Sequence, residues 1–330
     1  MKQTNCELCG NDCTVVKFEL LKSVNSPWFL MSECQNCGHI YMNPRPTQKE
    51  LAGFYEKDYH YDDFYSEHFA KQSRQFFQET KQFYSPEEKL LDIGCSKGYF
   101  LNFAKRFGMT VRGSEFSAKA ATYANKNFGI KVDVGSIDDM RYEPESFDVI
   151  TAFDLVEHLP NFMTSFKQFH KWLKKDGRLI IDTPNFDSLY RKISKDRWVG
   201  FDMPYHIHLF RPKTLIKALE EAGFSVEYIS TSHFNILSRE GLIRSKYFGF
   251  GVLAVKLLRL FGLWENAKKS SLIQPVAHVN QEVKPKGDDQ YRDPKINWLD
   301  ILEAGLNAPF NYIFGRLLLW GDGLRVVVKK

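Results

Sequence analysis

Apolar positions along this chain repeat with two periods, and each change of period marks an element. Leu90, Leu91 and Ile93 form a short apolar run in Lys89–Leu101, KLLDIGCSKGYFL. Such a run suits a strand buried on both faces of a parallel sheet. Gly94 and Gly98 punctuate a tight turn, and Tyr99 to Arg106 then reads as a helix. The unit recurs. Met109 to Glu115 reads as a second strand, Ala118 to Phe128 as a helix, and Lys131 to Val134 as a third strand. Phe147 to Phe153, FDVITAF, is the fourth strand and Phe162 to Leu173 the next helix. A turn is expected over Lys174-Lys175-Asp176-Gly177, before a fifth strand, Arg178 to Asp182. An insertion, Phe186 to Met203, then precedes the helix Lys213 to Ala222 and a sixth strand, Ser225 to Ser230. Leu324 to Lys330, LRVVVKK, reads as the seventh strand. Strands alternating with helices predict an α/β fold around a largely parallel sheet.

The flanks read differently. Cys6-x-x-Cys9 and Cys34-x-x-Cys37 are each followed by glycine and stand 24 residues apart. Four thiolates at that spacing can close a tetrahedron around zinc, so residues 1–46 are expected to form a structural ribbon. Cys13 is a spare whose spacing fits less well. Residues 47–86 are dense in aromatics and read as a helical linker or lid, with Tyr55, Tyr59 and Tyr61 the members nearest to function. Residues 247–264 and 298–320 read as two apolar helical stretches around a polar segment, in an insertion of about 240–320 within the main domain, 87–330.

Composition narrows the choices. The 330 residues carry a net charge of +5, too modest to demand a nucleic-acid partner. No export signal and no apolar run long enough to span a membrane are visible, and cysteines in such a chain suggest thiols or metal over disulfides. A cytoplasmic protein is expected. From Arg239 onward there are 15 Lys and Arg against 9 Asp and Glu. Apolar helices with basic residues suit a membrane surface or a lipid-linked acceptor; packing on the core or on a second subunit, as in a homodimer, is the other reading.

The first strand, its glycine turn and the following helix N-terminus make a cradle of nucleotide size. The dinucleotide fingerprint G-x-G-x-x-G needs a third glycine, and Ser96 and Lys97 hold the middle here. Asp92 suits a ligand bearing an ammonium group. Glu115 ends the second strand about 20 residues after the first glycine, where a carboxylate can take both ribose hydroxyls. Glu157 and His158 follow the fourth strand, and Pro204-Tyr205-His206-Ile207-His208 precedes the last helix. A neutral imidazole there can accept a proton from a substrate hydroxyl.

The stretch Asp92-x-Gly94-x-x-x-Gly98 resembles the first motif of class I S-adenosylmethionine (SAM) dependent methyltransferases. FDVITAF followed by Asp154-Leu155-Val156-Glu157-His158-Leu159, and then Thr183-Pro184-Asn185, are similar to later segments of that family. The resemblance implies a Rossmann-like seven-stranded mixed sheet, with strand seven antiparallel between strands five and six. It places Asp92, Gly94 and Gly98 on the methionine side of SAM, Glu115 on the ribose, Ser136 and Ile137 on the adenine, and Phe153 and Asp154 at the pocket's edge. His158 and His206 become candidate bases. The layout resembles bacterial enzymes that methylate saccharide or secondary-metabolite precursors, which favours O-methylation of a small-molecule or saccharide acceptor. An RNA or protein methyltransferase reading its substrate through the ribbon, and a non-catalytic SAM-binding protein, stay open.

Overall fold

A computed structural model describes residues 1–21, 28–47, 49–51, 53–54, 66–195, 198, 200–232 and 321–330. The tyrosines 55, 59 and 61, and the stretches 247–264 and 298–320, lie outside the described residues. Residues 1–232 and 319–330 form one compact unit.

Two sheets organise it. The N-terminal sheet holds β1 (Thr14–Leu21), β2 (Trp28–Cys34), β3 (Ile40–Met42) and, from far along the chain, β9 (His208–Leu209), in that order and antiparallel throughout. The main sheet holds β4 (Lys89–Ile93), β5 (Thr110–Glu115), β6 (Val132–Val134), β7 (Phe147–Phe153), β8 (Leu173–Pro184), β10 (Ser225–Ser232) and β11 (Gly323–Lys329). Its order is β10-β11-β8-β7-β4-β5-β6. The pairs among β4 to β8 are parallel, and β11 runs antiparallel to both neighbours. This is the expected seven-stranded mixed sheet, with its last strand in the expected slot.

Both faces of the sheet are covered. Side chains alternate across a strand, so Leu91 and Ile93 enter one cluster and Leu90 the other. On the first face lie Phe162, Phe166, Phe169 and Trp172 of α4 (Phe162–Trp172) and Leu215 and Leu219 of α6 (Pro212–Glu221). On the second lie Phe76 and Phe77 of α1 (Ser66–Thr80) and Phe100, Leu101 and Ala104 of α2 (Tyr99–Phe107). Within the aromatic region 47–86, α1 is packed as a covering layer. The alanine-rich helix is α3 (Ala118–Phe128); Ser117 caps it by accepting from the Ala120 N–H. The insertion after β8 contributes α5 (Leu189–Ser194).

One expected turn is absent. Lys174 to Gly177 belongs to β8, which begins directly at the end of α4. Phe147 pairs with Leu173 but Val149 pairs with Arg178, so the four residues are taken up as a bulge. Lys174 Nζ bonds the Asp148 carboxylate at 2.8 Å and holds the bulge down.

Candidate active site

The parallel strands β4 to β7 present their carboxyl ends together, where ligands bind in open α/β sheets. β4 turns there through Gly94, Ser96 and Gly98, all with left-handed φ (72°, 48° and 75°). At Gly98 a Cβ would also sit 2.8 Å from the Ala124 Cβ, so α2 and α3 approach too closely for any side chain. The turn is tied to β5 by Glu115. Its Oε2 accepts from the Ser96 N–H at 2.9 Å and its Oε1 from the Ser117 N–H at 2.8 Å. The Asp92 carboxyl lies one strand over, accepting from Thr151 Oγ1 at 2.7 Å. Burial pushes its pKa up to about 7, and the nearby Glu115 charge adds to the rise.

Ser136 caps a short turn over Ile137–Asp139, and the Gly135 N–H donates to the Glu115 carbonyl at 3.0 Å. Both Ser136 and Ile137 are half-buried. Phe153 ends β7 and packs edge-on against Phe100 at 4.9 Å. Asp154 has φ 47° and accepts from Gln72 Nε2 of α1 at 3.0 Å. All the residues expected to hold SAM therefore stand on four adjacent strand ends or the loops leaving them.

Beyond them lies a second group. His158 Nδ1 is 3.0 Å from the Tyr205 carbonyl, and His206 Nδ1 is 2.9 Å from the Gly200 carbonyl. A carbonyl only accepts, so each Nδ1 carries the proton and each neutral ring keeps its lone pair at Nε2. The rings stand 4.7 Å apart, nearly perpendicular. Glu157 is 1% exposed; its Oε2 accepts from Thr183 Oγ1 at 2.9 Å, while its Oε1 has no hydrogen-bond partner among the described residues. One ligating atom from each of Glu157, His158 and His206 falls within 4.8 Å of the others. Burial drives the His158 pKa down to about 3 and lowers that of His206. Burial, with Asp154 adding, drives that of Glu157 up.

His208 is placed elsewhere. Its Nδ1 is 3.0 Å from Nε2 of His39, and both rings are buried. Sequence reasoning also passed over Thr151, Gln72 and the buried Arg325, which forms ion pairs with Asp182 Oδ2 and Glu79 Oε2 at 2.6 Å each. Thr151 was visible as a hydroxyl inside an apolar run; Gln72 and Arg325 left no such mark.

In the N-terminal segment the ligating atoms of Cys6, Cys9, Cys34 and Cys37 all lie within 4.8 Å of one another, whereas Cys13 is exposed and outside the group. Sγ separations of 3.5 Å for Cys6–Cys37 and Cys9–Cys34 are near the roughly 3.8 Å edge of a zinc–thiolate tetrahedron. Burial raises the Cys6 pKa, so a thiolate there needs a cation beside it. The four residues fit a structural zinc ion.

The family described as "Methyltransferase domain" matches residues 60–229. The chain belongs to that family. The methyl donor that goes with it is SAM. The ubiquinone biosynthesis O-methyltransferase of Pelagibacter ubique is 31% identical over 160 residues, 45% of this chain and 66% of that protein. The phosphoethanolamine N-methyltransferase 1 of Triticum aestivum is 27% identical over 168 residues, 45% of this chain and 31% of that one. The chain thus spans about a third to just under two thirds of these relatives' lengths. A SAM-dependent methyltransferase structure from Archaeoglobus fulgidus covers 85% of the chain at 17% identity, with a TM-score of 0.49. Among the described residues, no helix is long and apolar enough to cross a membrane.

Proposed function

We propose that this protein transfers the methyl group of SAM to a hydroxyl oxygen of a small-molecule or saccharide acceptor. Asp92, Gly94 and Gly98 hold the methionine portion, Glu115 the ribose, and Ser136 and Ile137 the adenine. Phe153 and Asp154 close the pocket. The observation that carries the acceptor chemistry is the pair of imidazoles, His158 and His206, each with Nδ1 turned to a backbone carbonyl, beside Glu157, whose Oε1 has no hydrogen-bond partner among the described residues.

The acceptor oxygen attacks the methyl carbon in line with the sulfonium. The C–S bond breaks, its electrons return to sulfur, and S-adenosylhomocysteine leaves. The hydroxyl proton passes to an imidazole Nε2. We take His206 as the better base because its Nε2 lies 3.9 Å from Glu157 Oε1, so a proton taken up there can be shared with the buried Glu157 carboxyl, which ionises as the imidazolium forms. His158 flanks the same proton and orients the acceptor. Alignment supplies much of the rate.

Conversion of SAM to S-adenosylhomocysteine with a panel of sugars, phenols and amines tests this. Turnover with a hydroxyl acceptor that falls about 100-fold in His206→Ala, with SAM affinity kept, is expected. Turnover with amines alone would favour the second reading, N-methylation, suggested by the wheat relative. A cytoplasmic enzyme meeting a lipid-linked acceptor at the membrane through 247–264 and 298–320, and a homodimer, are readings supported by the sequence pattern of those stretches.

A further inference from the structure

β9 closes the cysteine-bearing sheet, yet it belongs to the segment that carries His206. Ile40 pairs with Leu209 and Tyr41 with His208. The Met42 N–H donates to the Ile207 carbonyl at 2.8 Å, and the Ile207 N–H donates to the Glu157 carbonyl at 3.0 Å. Ile207 is therefore bonded on one side to the N-terminal sheet and on the other to the Glu157–His158 loop. Arg45 makes a second tie to that loop, from Nη1 to the Pro160 carbonyl at 2.7 Å. The buried His39–His208 pair ties the N-terminal sheet to β9 directly.

The start of β3 is itself set by the cysteines. Cys34 ends β2 and Cys37 lies three residues before β3, with the Cys34 N–H donating to the His39 carbonyl at 2.9 Å. A two-residue strand such as β9 has no register of its own; the strand beside it supplies one. Catalytic groups must be held within about 0.5 Å of their working geometry.

We propose that the four-cysteine ribbon is a positioning element for His206, acting through β3, Arg45 and the His39–His208 contact to hold it against Glu157 and His158. Arg45, His39 and His208 are then positioning residues. The ribbon is a supporting arm of the acceptor side, not a detached recognition module. The assignment rests on the reading of His206 as the base, and the test keeps the two apart.

The full chain is compared with Arg45→Met, with His39→Phe and with wild type stripped of zinc by a chelator. Zinc per chain, SAM affinity, amide hydrogen exchange and the ¹⁵N ring signals of His206 are measured. Both variants are expected to keep zinc and to bind SAM within twofold of wild type. Exchange at Ile207, His208 and Leu209 should rise at least tenfold while that at Val132–Val134 stays put. His206 should pass from one Nδ1–H tautomer to a mixture, and zinc removal should do the same. Unchanged exchange and tautomer in Arg45→Met, or after zinc removal, overturns the proposal. If His39→Phe fails to bind SAM, Arg45→Met decides, because Arg45 is only half-buried. Methyl transfer that survives His206→Ala would remove the base reading while leaving the exchange result to stand or fall separately.

Discussion

Nε2 of His206 lies 3.9 Å from Oε1 of Glu157, a carboxylate oxygen that meets no hydrogen-bond donor among the described residues. The separation is too long for a hydrogen bond and short enough for strong attraction once the imidazole is charged. Burial raises the pKa of Glu157 and so favours its neutral form until a positive charge arrives beside it. Proton uptake by His206 during methyl transfer would bring one. Glu157→Gln, which keeps the shape and the Thr183 contact, should therefore bind SAM normally and turn over about 100-fold more slowly. Rates of S-adenosylhomocysteine formation set against calorimetric SAM affinity check both halves.

Glu115 has two duties: it accepts from the Ser96 and Ser117 N–H groups and is proposed to receive the ribose. Glu115→Ala removes a charged acceptor from the Ser96 and Ser117 N–H groups, each such bond being worth about 1.5–3 kcal/mol. SAM affinity should fall by about 10- to 100-fold, measured by calorimetry. Unchanged affinity would remove Glu115 from the site.

The raised pKa of Asp92, about 7, gives SAM binding a pH dependence. Below that value the carboxyl is largely neutral and offers a cation little. SAM carries positive charge, so it favours the ionised carboxylate and lowers its pKa on binding. Affinity should rise between pH 6 and 8 and level off above, with protons released on binding near pH 6. Calorimetry in buffers of different ionisation enthalpy reads that release. Asp92→Asn should abolish it.

Arg325 is 3% exposed and meets Asp182 and Glu79 at once. Arg325→Met strands the buried Asp182 carboxylate and should destabilise the fold by about 3–5 kcal/mol. The double variant with Asp182→Asn should recover part of the loss. Thermal unfolding of the three proteins measures this.

The main sheet was legible because its signals are local. Apolar runs of four to eight residues, glycine turns and capped helices follow one another from Lys89 to Asn185, and each needs only its neighbours to be read. The same holds for the paired CxxC motifs. What escaped depends on contacts between distant residues. β9 is two residues long and has no pattern of its own; only its pairing with β3 makes it a strand. His39 reads as one more polar residue after a cysteine until His208 is brought beside it. The Lys174–Gly177 segment has the composition of a turn, while the strands on both sides override that preference and make it a bulge. The candidate site divides likewise: Asp92 and Glu115 stand at strand ends where spacing put them, but the meeting of Glu157 and His206 required the fold.

β10 and β11 are hydrogen-bonded neighbours, and Ser232 stands opposite Gly323 where the chain leaves the first and enters the second. The residues between them depart and return at a single doorway in the sheet. A longer, shorter or altogether different excursion could be spliced in there without moving a strand end that faces the cofactor. Ser232 and Gly323 thus mark a splice point at which the chain can be altered while the ladder from Ser225–Lys329 to Thr231–Leu324 stays paired.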